Sequence, residues 1–414
     1  MSAFWRSPAF VLFAATAIIL IANGSRQSFG LFVVPISTDL GWGRSEFAWA
    51  IATQNLVMGC AAPFVAAIGD RLGPIRVIAI SAVLYVTGIA LISISTTPES
   101  MILSAGFVVG LGAAGVGFTL PLALVGRVAP PQSRVFWLGI VTAGGSAGQF
   151  VFAPTSTALI DSFGWSGGLT ILAIIIAITV PLALSMKAGS AETLAKPDHQ
   201  SLAAALSEAS RHRGYWLLVM GFFVCGFHVQ FVGTHLPGFI EDAGADTYLA
   251  AWALGTIGLF NIAGTIIAGR MGSRWSKKNL LCLLYLARAA LFMTFIYLPV
   301  NAMTVLSFAA IMGLLWLSTV PLTSGIVAQV FGPRYMGTLF GIVFLSHQLG
   351  SFAGVALGGI LYDLYGTYEA VWWIAIALGC LAALIHWGID EAPLERPITE
   401  QDVAIQNKAG EKIS

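Results

Sequence analysis

Residues 139–148 read Gly139-Ile140-Val141-Thr142-Ala143-Gly144-Gly145-Ser146-Ala147-Gly148, and 202 residues later the chain repeats the frame as Gly341-Ile342-Val343 and Gly350. At the same shift Gly24 meets Gly226, Pro35 meets Pro237 and Pro131 meets Pro333, while Phe150, Asp161 and Gly164 fall on Phe352, Asp363 and Gly366. Chance does not readily space glycines, prolines and an acid alike, so the chain reads as one membrane unit copied twice. Arg26 and His228 lie over each other in this register, each a basic group inside a hydrophobic segment. The duplication therefore points to a candidate site between the halves.

Hydrophobic residues make up 57% of the chain and charged residues 9%, with a mean hydropathy of +0.86, far from a soluble domain. Twelve apolar stretches can be counted, over 9–34, 47–68, 75–95, 101–128, 136–160, 166–186, 215–240, 248–268, 279–298, 302–330, 336–362 and 370–388. Each approaches the ~20 residues that cross a bilayer as a helix. The first is too long for a signal-peptide core and lacks a small-residue cleavage site, so it is expected to be retained. Cys60, Cys225, Cys282 and Cys380 all lie inside apolar stretches with neither metal-ligand nor disulfide spacing, which makes them packing residues. The expected fold is an all-α membrane protein of twelve transmembrane helices in two pseudo-symmetric six-helix bundles.

Lysine and arginine set the orientation, because cytoplasmic loops hold positive charge. With the N-terminus inside, seventeen of the 20 basic residues fall on the cytoplasmic side, Arg44 alone falls in an outside loop, and Arg26 and Arg288 fall within the membrane. The outside loops carry acids, among them Asp39, Glu46, Glu99, Asp161, Glu241, Asp242, Asp246, Asp363 and Glu369. A net charge of +1 is thus a balance of two faces and implies no nucleic acid.

A polar stretch from Lys187 to Arg213 separates the halves. Domains are expected at 1–187, a six-helix bundle; 188–213, a cytoplasmic linker; 214–389, the second bundle; and 390–414, a charged, disordered cytoplasmic tail. In the linker Ser201 can cap an amphipathic helix with Leu202 and Leu206 on one face and Glu208 and Arg211 on others, lying along the membrane.

Between the second and third stretches the sequence runs Gly69-Asp70-Arg71-Leu72-Gly73-Pro74-Ile75-Arg76, and a degenerate copy, Arg270-Met271-Gly272-Ser273-Arg274, joins the eighth and ninth. This loop resembles the signature of the major facilitator superfamily. The resemblance implies that family's fold and a gate in which Asp70, Arg71, Gly73, Arg76, Arg270 and Gly272 turn and latch helix ends. Within the superfamily the segments Asn23-Gly24-Ser25-Arg26-Gln27-Ser28-Phe29-Gly30, Gly221 to His228, Thr234-His235-Leu236-Pro237 and Leu259-Phe260-Asn261 are similar to those of monocarboxylate porters and oxalate/formate exchangers. In that branch an arginine a few residues after the Asn grips the substrate carboxylate; here the position is Thr265, so an anion grip must come from elsewhere.

Arg26 is the replacement. It lies nine residues before Pro35, or about 13 Å at 1.5 Å per residue, near the middle of a ~30 Å core. No Asp or Glu lies well inside any stretch, so the partner of this costly charge is expected to be the substrate, held bidentately. The bland alternative is a bond to carbonyls and to Asn23. Asn23, Gln27, Gln149, Asn261 and His347 are further candidates for substrate contact, with Gln54, Asn55 and Gln348 as possible interhelical glue. His228 is the candidate proton carrier as well as a substrate contact, and Arg288 in the ninth stretch is as readily a structural residue.

The expected function is secondary transport of a small organic anion, a monocarboxylate, by alternating access together with a proton. A functional monomer in a cell membrane, the bacterial inner membrane, with both termini cytoplasmic, completes the expectation. A drug-exporting antiporter, an anion exchanger and a solute sensor are the alternatives. Gly144-Gly145-Ser146-Ala147-Gly148 also fits the G-x-S-x-G of serine hydrolases, but it lies inside a helix with no strand before it and is spaced for helix packing. No metal, nucleotide or other cofactor motif is present in the sequence, and no enzyme activity is expected.

Overall fold

The computed structural model of the protein describes residues 7–128, 134–186, 202–332 and 336–394. Its passes are α1 (Pro8–Leu40), α2 (Arg44–Leu72), α3 (Pro74–Ile92), α4 (Pro98–Leu122), α5 and α6 (together Gly139–Ser185), α7 (Arg213–Asp242), α8 (Thr247–Gly272), α9 (Lys277–Tyr297), α10 (Ala302–Phe331), α11 (Met336–Tyr365) and α12 (Glu369–Trp387). The Gly139–Ser185 segment is 47 residues long and is divided at Gly164, whose φ of 69° and ψ of 173° leave the helix, so the eleven long apolar helices among the described residues make twelve passes. Gly366, the repeat mate of Gly164, has φ 71° and ends α11 in the same left-handed way.

The other repeated glycines are where helices cross. A Cβ on Gly24 of α1 would sit 2.5 Å from the backbone of Gly148 on α5. One on Gly226 of α7 would overlap the His347 carbonyl on α11. Backbones this close need residues without side chains, which is how helices pack where lipid removes the hydrophobic drive between them. The first six passes close around Phe32, Phe47 and Tyr85, and the last six around Phe222, Phe292 and Trp372.

Two helices are broken at matching places. The helical part of α4 ends at Val116 and resumes at Thr119; in α10 helix ends at Leu315 and resumes at Thr319. Thr119-Leu120-Pro121 and Thr319-Val320-Pro321 begin the second pieces. Each proline lacks the N–H that would bond the carbonyl four residues back, at Gly117 and Leu317, so the breaks lie where the chain must release those groups.

The linker helix is present over Leu202–Arg211, with Ala205 and Ala209 buried and Leu206 packed on the second half's core, so one face docks on protein. Its expected cap, Ser201, and the expected tail from residue 395 onward lie outside the described residues.

At 25 °C and above, Gly226→Val should cost a few kcal/mol through overpacking and lower the melting temperature in detergent by several degrees. Gly341→Ala, at a repeated glycine with open space around it, should leave the melting temperature unchanged. Equal melting of the two variants would contradict the crossing.

Candidate functional site

One end of the bundle presents Asp39, Asp161, Asp242, Asp246, Asp363 and Glu369, and the other Arg76, Arg211, Arg213, Arg270, Arg274, Lys277 and Lys278; these are called the acidic and basic faces. Among the described residues, the hydrogen bonds and ring contacts that join the halves run from the acidic face to mid-depth. At the face, Arg44 of α2 grips Asp242 of α7 with Nη1 and Nη2 at 2.8 and 2.5 Å, and Asp363 of α11 accepts from the backbone N–H groups of Arg44 and Ser45 at 3.0 Å each. Deeper, Trp49 meets Phe352 with ring centroids 5.7 Å apart, and Phe150 meets Trp252 at 6.2 Å. Fifteen residues along α2 from Arg44, or about 22 Å at 1.5 Å per residue, Gly59 lies against Gln348. Among the described residues, the halves are thus held together from the acidic face to mid-depth.

Arg26 lies at the floor of this closed region. Its Nη1 donates to Asn55 Oδ1 at 3.1 Å and its Nη2 to Asn23 Oδ1 at 3.4 Å, and the side chain is half-buried. The same Asn55 Oδ1 accepts from Gln230 Nε2 of α7 at 2.7 Å, and the Asn55 carbonyl accepts from Gln348 Nε2 of α11 at 3.3 Å. His347 Nδ1 donates in turn to Gln348 Oε1 at 2.9 Å, and its ring stacks on Phe344 at 5.4 Å. Asn23, Arg26, Asn55, Gln230, Gln348 and His347 therefore form one polar chain that crosses between the halves. Just after Arg26, α1 tightens into a 3₁₀ turn at Phe29–Phe32, beside which Gly30 meets the Gly233 carbonyl of α7. Gln27 lies at that same crossing.

A second cross-half contact joins α5 to α8. Asn261 Nδ2 donates to Ser146 Oγ at 3.0 Å, while Asn261 Oδ1 accepts from the Leu317 N–H freed by the α10 break at 3.0 Å. Thr265, where the resemblance would have put an arginine, donates to the Asn261 carbonyl at 2.8 Å and so backs this residue. Gln149 is buried at the same crossing, against Gly258. Ser146 of the G-x-S-x-G segment is thus a packing hydroxyl bonded to an amide in mid-helix.

Two expected site residues lie elsewhere. His228 does not share a cavity with Arg26: fully buried, its Nε2 meets the Ala375 carbonyl of α12 at 2.8 Å and its ring packs on Phe292 at 5.0 Å. An imidazole two bonds from the backbone stays among its helix neighbours, whereas the long guanidinium side chain at the matching position reaches α2. His235 is held the same way, by the Val355 carbonyl at 2.8 Å. Arg288 bonds the carbonyls of Leu315, at 2.5 Å, and of Trp316, the C-terminal end of the first half of α10, and lies 5.4 Å from the Tyr285 ring centroid. A cation there meets orphan carbonyls and the negative end of the helix dipole. Of the gate positions, Gly73 turns with φ 91° between α2 and α3, Gly272 is buried against Leu322, and Arg76 and Arg270 are exposed; the side chains of Asp70 and Arg71 lie outside the described residues.

Gln230 and the two helix breaks are the features that residue-by-residue reading missed. The repeated Thr-x-Pro of α4 and α10 was a signal for the breaks, and it repeats at 200 residues rather than 202.

A duplicated twelve-pass membrane protein with broken helices and a polar, cation-bearing cluster between its halves has the build of a secondary transporter. Residues 12–355 match the Major Facilitator Superfamily, and the chain belongs to that family of transporters, which are not enzymes. It is 24% identical over 398 residues to the uncharacterized MFS-type transporter YcxA of Bacillus subtilis (strain 168), with 91% of this chain and 94% of the relative covered. It is also 24% identical to monocarboxylate transporter 13 of Rattus norvegicus, covering 88% of this chain and 86% of the relative. Among solved structures, a bacterial homolog to the human lysosomal transporter Spinster, in an inward-facing and unoccupied conformation, superposes with a TM-score of 0.75 at 14% identity over 92% of this chain and 96% of that one. That likeness shows the fold.

Replacing Arg288 with Gln should leave buried carbonyls unpaired, at about 1–3 kcal/mol each, and lower the melting temperature in detergent. A variant as stable as the parent would show that Arg288 does not hold the α10 break.

Proposed function

We propose that the protein carries a small organic anion, a monocarboxylate, across a cell membrane by alternating access, with a proton and as a monomer. The observation that carries the reading is Arg26. Its guanidinium touches two neutral amide oxygens, and among the described residues the one ion pair is Arg44 with Asp242, far from it. A charge at mid-membrane is expensive without a counter-charge, and an entering carboxylate supplies it. The names of the monocarboxylate transporters it resembles agree with this substrate class. A cationic drug would find no carboxylate at mid-depth to receive it, since the acids of the passes lie near their ends.

The excess of lysine and arginine at the basic face puts that face in the cytoplasm, the bacterial inner membrane being the expected site, with both termini inside. On that orientation, the contacts that join the halves lie toward the outer side. Arg76 and Arg270, with the loop around Asp70 and Arg71, would latch the basic face when it closes in the other half of the cycle. The six-helix units at 1–187 and 214–389, joined by 188–213, rock as bodies around Arg26.

For the proton, His347 replaces His228. It is bonded through Gln348 to the residue that holds Arg26, while His228 is enclosed by α9 and α12. A proton that travels with the carboxylate, on His347 or on the substrate itself, makes uptake proton-coupled.

In proteoliposomes, a panel of monocarboxylates, dicarboxylates and neutral solutes should show uptake of monocarboxylates, abolished by Arg26→Gln and restored only weakly by Arg26→Lys, which lacks the guanidinium fork. Wild-type uptake by the Gln variant at equal protein would make Arg26 structural.

Uptake should also rise as outside pH falls, collapse with a protonophore, and lose its pH response in His347→Ala more than in His228→Ala. Equal rates at every pH would leave uniport or anion exchange in place of proton coupling.

A further inference from the structure

Arg44 is the lone basic residue of the acidic face, as the sequence shows, and every side chain that holds it comes from the opposite half. Asp242 of α7 meets it with both oxygens, in the two-pronged geometry by which Arg binds carboxylates. The Tyr362 ring lies 4.0 Å beneath the guanidinium, and the Tyr368 hydroxyl accepts from Nη1 at 2.9 Å. Opening at this face must therefore strip Arg44 of Asp242, Tyr362 and Tyr368 together. What remains is a cation on the rim of the first half, surrounded by a face whose other charges are acidic and repel an approaching anion.

The position of Arg44 on α2 directs that cation inward. Eleven residues separate it from Asn55, about three turns at 3.6 residues per turn, so both lie on one face of α2 some 16 Å apart at roughly 1.5 Å per residue. Asn55 is the residue that holds the Arg26 guanidinium. One stripe of α2 thus leads from a guanidinium at the mouth to a guanidinium at mid-depth.

We propose that Arg44 is the outer capture site for the transported carboxylate, and that Asp242 occupies its fork as an internal stand-in when the outer face is closed. This rests on the anion reading of the Arg26 site. Substrate arriving from outside competes with Asp242 for the fork, is held while the mouth is open, and passes inward to Arg26; return of Asp242 displaces it and seals the mouth. Near the fork, Glu46 follows on α2, Glu241 precedes Asp242 on α7, and Asp363 of α11 bonds the backbone N–H groups of Arg44 and Ser45. Glu46 travels with Arg44; the other three acids leave with the second half.

A latch and a capture site predict different responses to two substitutions that break the same ion pair. Uptake of a monocarboxylate such as lactate is measured from the outer side of oriented proteoliposomes, for the parent, Arg44→Gln, Asp242→Asn and Arg44→Lys, at low and high salt. Capture by Arg44 predicts that Arg44→Gln raises the outer KM roughly tenfold, equivalent to the loss of about 1.4 kcal/mol, and flattens its salt dependence. Asp242→Asn, which frees the fork, should lower the outer KM, and Arg44→Lys, which keeps the charge, should fall between the parent and Arg44→Gln. A purely mechanical latch predicts that Arg44→Gln and Asp242→Asn shift the outer KM in the same direction by a similar factor, and that result overturns the proposal. If the parent protein moves no carboxylate at all, the anion reading itself fails, and the capture site with it.

Discussion

Arg26 keeps a permanent positive charge near the middle of the membrane, and the two atoms it touches, Asn55 Oδ1 and Asn23 Oδ1, are neutral. Amide dipoles soften the cost of such a charge without cancelling it. The surroundings are arranged accordingly. Asn55 is itself tied to Gln230 and Gln348 of the other half, so the residue that orients the guanidinium also registers whether the halves are together. On the proposed reading, an anion that draws Arg26 away from Asn55 leaves Asn55 Oδ1 to Gln230 alone, so ligand and cross-half bond meet at one acceptor, which is the kind of differential contact a ligand needs in order to bias two conformations.

The scaffold around this charge is rigid where it must be and broken where it can respond. Glycines at 24, 148, 226 and 350 let α1 cross α5 and α7 cross α11 at backbone contact, so each of these pairs packs as a unit. In α10 the ladder of helix hydrogen bonds is interrupted, and the loose groups are taken up by Arg288 on one side and Asn261 on the other. Asn261 also reaches Ser146 of the first half, so the break in α10 is tied to the α5–α8 crossing. Uncompensated charge, cross-half amides and a broken helix lie at about the same depth.

The spacing of glycines and prolines made much of this legible in the sequence. Gly164 and Gly366 announce the turns after α5 and α11, and Gly24 and Gly226 announce the crossings, because only glycine satisfies the positive φ or the missing Cβ. Arg26 was legible too, since a charge in an apolar stretch is visible without coordinates. His228 was not. The repeat register gives the position along a helix, whereas sharing a cavity depends on side-chain reach, and the imidazole stops at the Ala375 carbonyl. Gln230 was overlooked beside it, although two residues turn α7 by about 200° and bring it toward Asn55. Thr265 shows the opposite case, where a departure from a familiar pattern read as a loss and the hydroxyl instead braces Asn261.

The most direct measurement of the central claim is thermal unfolding of the purified protein in detergent at pH 7 with a titrated monocarboxylate and, in parallel, the uncharged primary amide of the same acid. If the substrate is the counter-charge of Arg26, the acid raises the melting temperature in a saturable way, the amide does not, and Arg26→Gln loses the response while remaining folded. Equal stabilisation by acid and amide, or a full response to the acid in Arg26→Gln, would contradict the account.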